Sequence, residues 1–140
     1  SELSADEIWQ LFERRFLKCD EPWLLEGFEL KSDGEEDVMH AHLRKGAQVC
    51  STTGRGSGAM EAFIHGLYKK LGIQLEILDY SEHATEQGSE SQAIAFVHLN
   101  CEGQREVAAA MHRDIVSASL NAILHGLNRH LQNNPDIEAA

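Results

Sequence analysis

Three clusters in this chain combine residue types that could do chemistry. Asp79, Ser81 and His83, in the segment Asp79-Tyr80-Ser81-Glu82-His83-Ala84, supply the acid, hydroxyl and imidazole of a hydrolytic relay. They lie two residues apart on what reads as one extended strand end beside a loop. Their side chains then run in a row along one face, whereas the relay needs them to converge, so no catalytic residue is assigned. The better use of this segment is to offer acids to an ammonium group. His40 and His42 share a strand face and could be two metal ligands, but no third suitable ligand is near in sequence. A solvated or interface face is expected there, and no metal site is assigned. The run Gly54-Arg55-Gly56-Ser57-Gly58 reads as a glycine-rich loop leading into a helix. Small residues let a ligand approach the backbone, and helix-start N–H groups favour an anion such as a carboxylate. No Lys-Ser/Thr follows the last glycine, which excludes a P-loop. A structural turn and a binding loop both fit.

The elements that must position these groups follow from periodicity. Ser4-Ala5-Asp6-Glu7 is a capping box, followed by the apolar face Ile8, Trp9, Leu11, Phe12 and Phe16, and predicts a helix that ends before Pro22. Strands are expected over 23–31, 38–44 and 47–53; in the second, Met39, Ala41 and Leu43 alternate with His40, His42 and Arg44. A helix then places Met60, Phe63, Ile64, Leu67 and Leu71 on one face. Further strands are expected over 74–83, 92–100 and 105–111, and a last helix runs from near Asp114 to Asn133.

Those two helices are copies. Ala62-Phe63-Ile64-His65-Gly66-Leu67 and Ala122-Ile123-Leu124-His125-Gly126-Leu127 match at an offset of 60, while His42-Leu43 and His98-Leu99 match at a slightly different one. The chain is therefore a helix and then strand-strand-strand-helix twice, an α+β fold of two βββα units related by a pseudo-twofold axis. Residues 1–22 form a linker helix, 23–140 one domain, and its repeats span 23–72 and 73–133. Gly66 and Gly126 each cost about 1 kcal/mol relative to Ala in mid-helix, and a close helix–helix approach is the expected reason.

Composition bounds the partners. Twelve basic residues against 23 acidic ones give a net charge of −11, which repels phosphate backbones and anionic headgroups, so neither nucleic acid nor membrane is expected. Cys19, Cys50 and Cys101 are odd in number, widely spaced and without a CxxC pair, which predicts structural cysteines in a reducing compartment. The acidic segment Ser1–Glu7 lacks the basic start of a signal or transit peptide, and the cytoplasm is the expected location.

With these residues laid out, the chain resembles the C-terminal regulatory (allosteric, dimerisation) domain of 2-isopropylmalate synthases. The carriers are Gly56-Ser57-Gly58-Ala59-Met60, similar to that family's Gly-Asn-Gly-Pro helix start; Leu78-Asp79-Tyr80-Ser81-Glu82-His83-Ala84; Gly88-Ser89-Glu90-Ser91-Gln92-Ala93; and Asp114–Leu120 with Leu127-Asn128-Arg129. Ser4–Trp9 resembles the helix that links the catalytic barrel to this region. The resemblance implies two βββα units, a homodimer, and leucine as feedback inhibitor of leucine biosynthesis. It implies a parent acetyl-CoA-dependent acyltransferase whose active site and divalent metal sit in a TIM barrel, which needs roughly 200 residues or more. This chain alone would then carry no active site and no cofactor. Carried over by position, the leucine pocket would involve Gly56, Gly58 and Met60; Ile77, Tyr80 and Ala84; and Ser91 and Ile115. Asp79, Glu82 or backbone carbonyls would accept from the ammonium. The chain departs from the family at Ser57 and Ala59, and at Met111-His112-Arg113 in place of a Gly-x-Gly. Other readings are an isoleucine-sensing domain of a citramalate synthase, a dimerisation module without ligand, and a small stand-alone enzyme built on Asp79, Ser81 and His83.

Overall fold

A computed structural model of the chain describes residues 4–6, 21–87 and 90–137. The linker helix expected over 1–22 falls largely outside the described residues, as do Cys19 and the Gly88-Ser89 pair. Within them the order is β1 (Trp23–Ser32), β2 (Asp37–Lys45), β3 (Gln48–Gly56), α1 (Ala59–Leu71), β4 (Leu75–Gln87), β5 (Glu90–Cys101), β6 (Gln104–His112) and α2 (Ile115–Asn133). The strands form two separate three-stranded antiparallel sheets, β1-β2-β3 and β4-β5-β6. This is the α+β pair of βββα units that the repeat predicts.

Each helix lies on its own sheet. The alternation read in β2 is seen directly: Met39, Ala41 and Leu43 are fully buried beneath α1, and His40 and His42 point outward. The five apolar positions of each helix turn inward, with Phe63, Leu67, Ile123, Leu124 and Leu127 among the most buried side chains, and one continuous core joins the two units. The β5–β6 hairpin closes on Glu102-Gly103, both at positive φ (55° and 92°), the backbone twist that suits right-handed antiparallel strands.

The repeated His-Gly pair has a structural purpose. His65 Nδ1 donates to the Arg55 carbonyl (2.6 Å) and His125 Nδ1 to the Ala109 carbonyl (2.9 Å). In each unit the imidazole thus satisfies a carbonyl on the sheet's last, edge strand. The glycine lets the helix descend onto the sheet, against edge strand β3 in the first unit and against Leu99 of the central strand β5 in the second. A Cβ on Gly66 would meet Gly54 N and Thr52 Oγ1 at 3.2 Å, and one on Gly126 would meet Leu99 Cδ1 at 2.7 Å. The close approach is therefore helix to sheet, not helix to helix as expected.

The glycine-rich run also differs from expectation. Gly54 and Gly56 are not loop residues; β3 continues through them. A Cβ on Gly54 would sit 2.1 Å from the Ala62 carbonyl oxygen and 2.3 Å from Gly66 N, and one on Gly56 would sit 2.8 Å from Ala62 N. Only glycine lets α1 rest this close on the strand it follows. Only Ser57 and Gly58 make the turn.

The two offsets in the repeat now have a cause. The second and third strands and the helix starts correspond at 56 residues, the bulged first strands at 52 and the helical sequences at 60, so α2 carries one extra turn at its N-terminus. That turn brings Ile115 and Val116. The units are also stapled together: Asn128 of α2 accepts from the Trp23 N–H at 2.7 Å and donates to the Trp23 carbonyl at 2.9 Å.

Candidate functional site

A cavity of about 320 Å3 opens where the starts of α1 and α2 meet β4. It lies near the lower end of the ~300–1,000 Å3 typical of small-molecule sites. Ser57 to Glu61 of the α1 start form one wall, Ile77, Tyr80 and Glu82 of β4 another, and Ile115, Val116 and Ser119 of α2 the third.

A bulge in β4 makes the second wall. Ile77 pairs with Leu99 but Asp79 pairs with His98, so one extra residue is inserted between them. In a regular strand Ile77 and Tyr80, three apart, would face opposite sides. The inserted residue turns both into the cavity, with Glu82 following at the usual spacing of two. The same insertion sends Asp79, Ser81 and His83 to the outer face. There the Asp79 carboxylate accepts from the Tyr80 N–H (2.9 Å), and the His83 ring meets Phe96 edge-on with centroids 5.8 Å apart. The three lie in a row in mid-strand, not at a strand end as expected, because β4 runs on to Gln87. Such a row offers no relay.

The electrostatics of the cavity divide it in two. At α1, the N-cap is Gly58, held at φ 111°, ψ 166°, a conformation reserved for glycine, and it offers no side chain to the first-turn amides. Glu61 accepts from the Ser57 N–H at 3.2 Å, while the end of the helix dipole faces the cavity. At the opposite wall Tyr80 Oη is 2.7 Å from Glu82 Oε2 and 2.8 Å from Ser119 Oγ, and Ser119 Oγ is 2.8 Å from the Ile115 carbonyl. Three contacts share two hydroxyl protons, so this wall is short of donors and receptive to one. Burial raises the Tyr80 phenol above its ordinary value, so it stays protonated at neutral pH. Between the two poles Met60, Ile77, Ile115 and Val116 leave an apolar slot.

Of the residues proposed from sequence for a leucine pocket, Gly58, Met60, Ile77, Tyr80 and Ile115 line this cavity, as does Glu82. Gly56, Asp79, Ala84 and Ser91 do not. Gly56 is buried under Glu61 and Ala62, where a side chain would collide. Asp79 faces outward, Ala84 lies two residues beyond Glu82 on an exposed stretch of β4, and Ser91 pairs with Glu86 near the far end of the hairpin. Glu61, Val116 and Ser119 line the cavity without having been singled out. Val116 and Ser119 stand on the extra turn of α2 and just after it, and the mismatch between offsets 56 and 60 was the signal that could have found them.

The other candidates resolve into structure. His40 Nδ1 pairs with Thr53 Oγ1 (2.9 Å) and His42 Nδ1 with Ser51 Oγ (3.0 Å), each across the strand pair. Cys101 is fully buried and its thiol is pushed up to about 11, chiefly by desolvation, which keeps it unreactive. Burial also raises the half-buried Cys50 thiol. Among the described residues no helix is long and apolar enough to cross a membrane.

Comparison with known proteins agrees with the doubled βββα architecture. The family model described as the LeuA allosteric (dimerisation) domain matches residues 2–131. A 2-isopropylmalate synthase of Pseudomonas savastanoi pv. phaseolicola is 31% identical over 93% of this chain and 23% of its own length. Those of Helicobacter hepaticus (29% identical, 91% of this chain and 24% of its own) and Cupriavidus taiwanensis (31%, 94% and 23%) are similar to the same extent. The chain thus spans about a quarter of the length of the curated relatives it matches. With the family model covering nearly the whole chain and both βββα units in place, the chain belongs to the LeuA allosteric (dimerisation) domain family.

Proposed function

We propose that this chain is the leucine-sensing allosteric domain of a 2-isopropylmalate synthase, inhibiting leucine biosynthesis in the cytoplasm from a cavity between its two repeats. The observation that supports it is the polarity of that cavity. One wall is a helix start without a side-chain cap, suited to a carboxylate; the other is the donor-poor Tyr80–Glu82–Ser119 cluster, suited to an ammonium; and an apolar slot for an isobutyl group lies between them. An α-amino acid with a branched aliphatic side chain carries those three features. Glu82, whose carboxylate lines the cavity, is the ammonium acceptor in place of Asp79.

The domain's output goes to the catalytic barrel of the same polypeptide, which would hold the divalent metal and join acetyl-CoA to 2-oxoisovalerate. Leucine bridges α1 of the first unit to β4 and α2 of the second, so binding stiffens one unit against the other. The linking helix passes that change on.

Calorimetric titration of the chain with leucine, isoleucine and valine tests this reading. Leucine should bind tightest. Tyr80→Ala and Glu82→Gln should each weaken it about tenfold or more, the value of a hydrogen bond to a charged group. Tighter binding of isoleucine would reassign the domain to a citramalate synthase. No heat and no thermal shift with any of the three would leave a dimerisation module without a ligand.

A further inference from the structure

We infer that Ser119 is a positioning residue of the cavity: its hydroxyl takes up the Tyr80 proton when an ammonium arrives, so that the site selects a 2-amino acid over the 2-oxo acid of the same skeleton. The inference rests on the amino-acid reading of the cavity and adds a residue to it. Ser119 stands early in α2 and is only 4% exposed. Its Oγ lies 2.8 Å from the Ile115 carbonyl and 2.8 Å from Tyr80 Oη, which donates to Glu82 Oε2 at 2.7 Å.

The helix itself gains nothing from a serine here. Alanine is the better helix former, and a hydroxyl that bonds back to the carbonyl four residues earlier slightly weakens a helix. The corresponding residue of α1, at the offset of 60 that aligns the helical sequences, is Ala59. The counterpart of Tyr80 in the first unit, counted from the shared bulge, is Phe28. The two hydroxyls are thus present together in the second unit and absent together from the first, which ties the serine to the tyrosine.

The proton count gives the pair its use. The Ile115 carbonyl can only accept, so it holds the Ser119 proton and leaves Ser119 Oγ as an acceptor. The single Tyr80 proton then has two destinations, Glu82 and Ser119. When no cation faces the wall it goes to Glu82, since a hydrogen bond to a charged acceptor is the stronger one. An ammonium brings three donors to the same carboxylate. Rotation of the Tyr80 O–H toward Ser119 then frees the Glu82 oxygen and exposes a lone pair on Tyr80 Oη. No proton changes atom, and the ammonium meets two acceptors instead of one. A 2-oxo acid brings an acceptor to this wall and no donor, which leaves the Glu82 carboxylate without a partner. A barrel that consumes 2-oxoisovalerate gains from a sensor blind to 2-oxo acids, which would otherwise inhibit the enzyme with its own substrate.

Calorimetric titration of the unaltered chain, Ser119→Ala and Ser119→Thr with leucine, 4-methyl-2-oxopentanoate and 4-methylpentanoate tests the inference. The unaltered chain should bind leucine about 100-fold tighter than either acid without the amine. Ser119→Ala should weaken leucine about tenfold and leave the other two acids unchanged, while Ser119→Thr, which keeps the hydroxyl, should restore leucine. Equal losses for all three acids would show a packing role and overturn the inference. In a Tyr80→Phe background Ser119→Ala should cost leucine nothing further, and a loss that persisted there would overturn it too. A second readout needs no ligand. The Ser119 hydrogen bond works against the rise that burial imposes on the Tyr80 phenol. With Tyr68→Phe making Tyr80 the one tyrosine of the chain, its ultraviolet titration should move upward on Ser119→Ala, and an unmoved titration would refute the pairing. Leucine that failed to bind the unaltered chain would sink the leucine reading and this inference with it. Leucine that bound every variant equally would remove only the role of Ser119.

Discussion

The two βββα units share a skeleton and differ at their surfaces. Both have an edge-strand carbonyl capped by the imidazole of a His-Gly pair, both turn the same five helical positions toward the core, and both have a bulge in the first strand, between Leu25 and Gly27 and between Ile77 and Asp79. The contents of those bulged strands diverge. At the positions of Ile77, Tyr80 and Glu82 the first unit has Leu25, Phe28 and Leu30, with neither hydroxyl nor carboxylate. The helix starts diverge in the same way. Asp114 caps α2 by accepting from Ser117 N (3.0 Å) and Ser117 Oγ (2.8 Å), whereas Gly58 leaves α1 without a side-chain cap. The lesson is that of the two matching strands only β4 brings polar groups to the cavity. The features that make the site are those in which the copies differ.

The comparison can be broken most severely at the glycines. Gly54→Ala puts a methyl group 2.1 Å from the Ala62 carbonyl, a backbone atom that cannot yield without lifting α1. The expected loss is about 3 kcal/mol or more. The equivalent position in the second unit is already Ala110, so Ala110→Gly should cost only about 0.5–1 kcal/mol. Denaturant melts of both variants measure the difference, and a Gly54→Ala protein as stable as its parent would show that the helix–strand approach is not as close as described.

A middle effect is expected at the staple between units. Asn128→Ala removes both hydrogen bonds to the Trp23 backbone and should cost about 2 kcal/mol. The matching residue of α1, Tyr68, is half exposed, and Tyr68→Ala should move stability by less than about 0.5 kcal/mol. Equal losses at the two sites would erase this asymmetry.

The smallest effect sharpens the contrast between helix starts. Asp114→Ala should cost about 1 kcal/mol, the usual value of an N-cap. The Ser117 hydroxyl, more than any other group, holds the Asp114 carboxyl below its ordinary value of 3.8. A carboxyl depressed by folding stabilises above its unfolded value and loses that contribution as pH falls through the folded one. The gap between parent and Asp114→Ala should therefore stay constant at neutral pH and close below about pH 4. A gap that persisted into more acidic solution would mean that the cap does not act through its charge.

Much of this was legible in the residues themselves. The apolar period of each helix, the alternation of β2, the start of the last helix near Asp114 and the doubling at 56 to 60 residues are local patterns, and local patterns survive being read one segment at a time. The resemblance, carried by Gly56–Met60 and Asp79–Ala84, likewise needed only the order of residues. Tertiary structure decided three other things. Long-range pairing with β2 drew Gly54 and Gly56 into β3, where they seat α1. The bulge after Ile77, a consequence of how β4 registers on β5, turned Ile77, Tyr80 and Glu82 inward and Asp79 outward. Packing of the two units then brought Glu61, Val116 and Ser119 to one cavity from elements far apart in the chain. Periodicity says which residues share a face of an element; which faces meet, and where a strand slips by one residue, is set by partners distant in sequence.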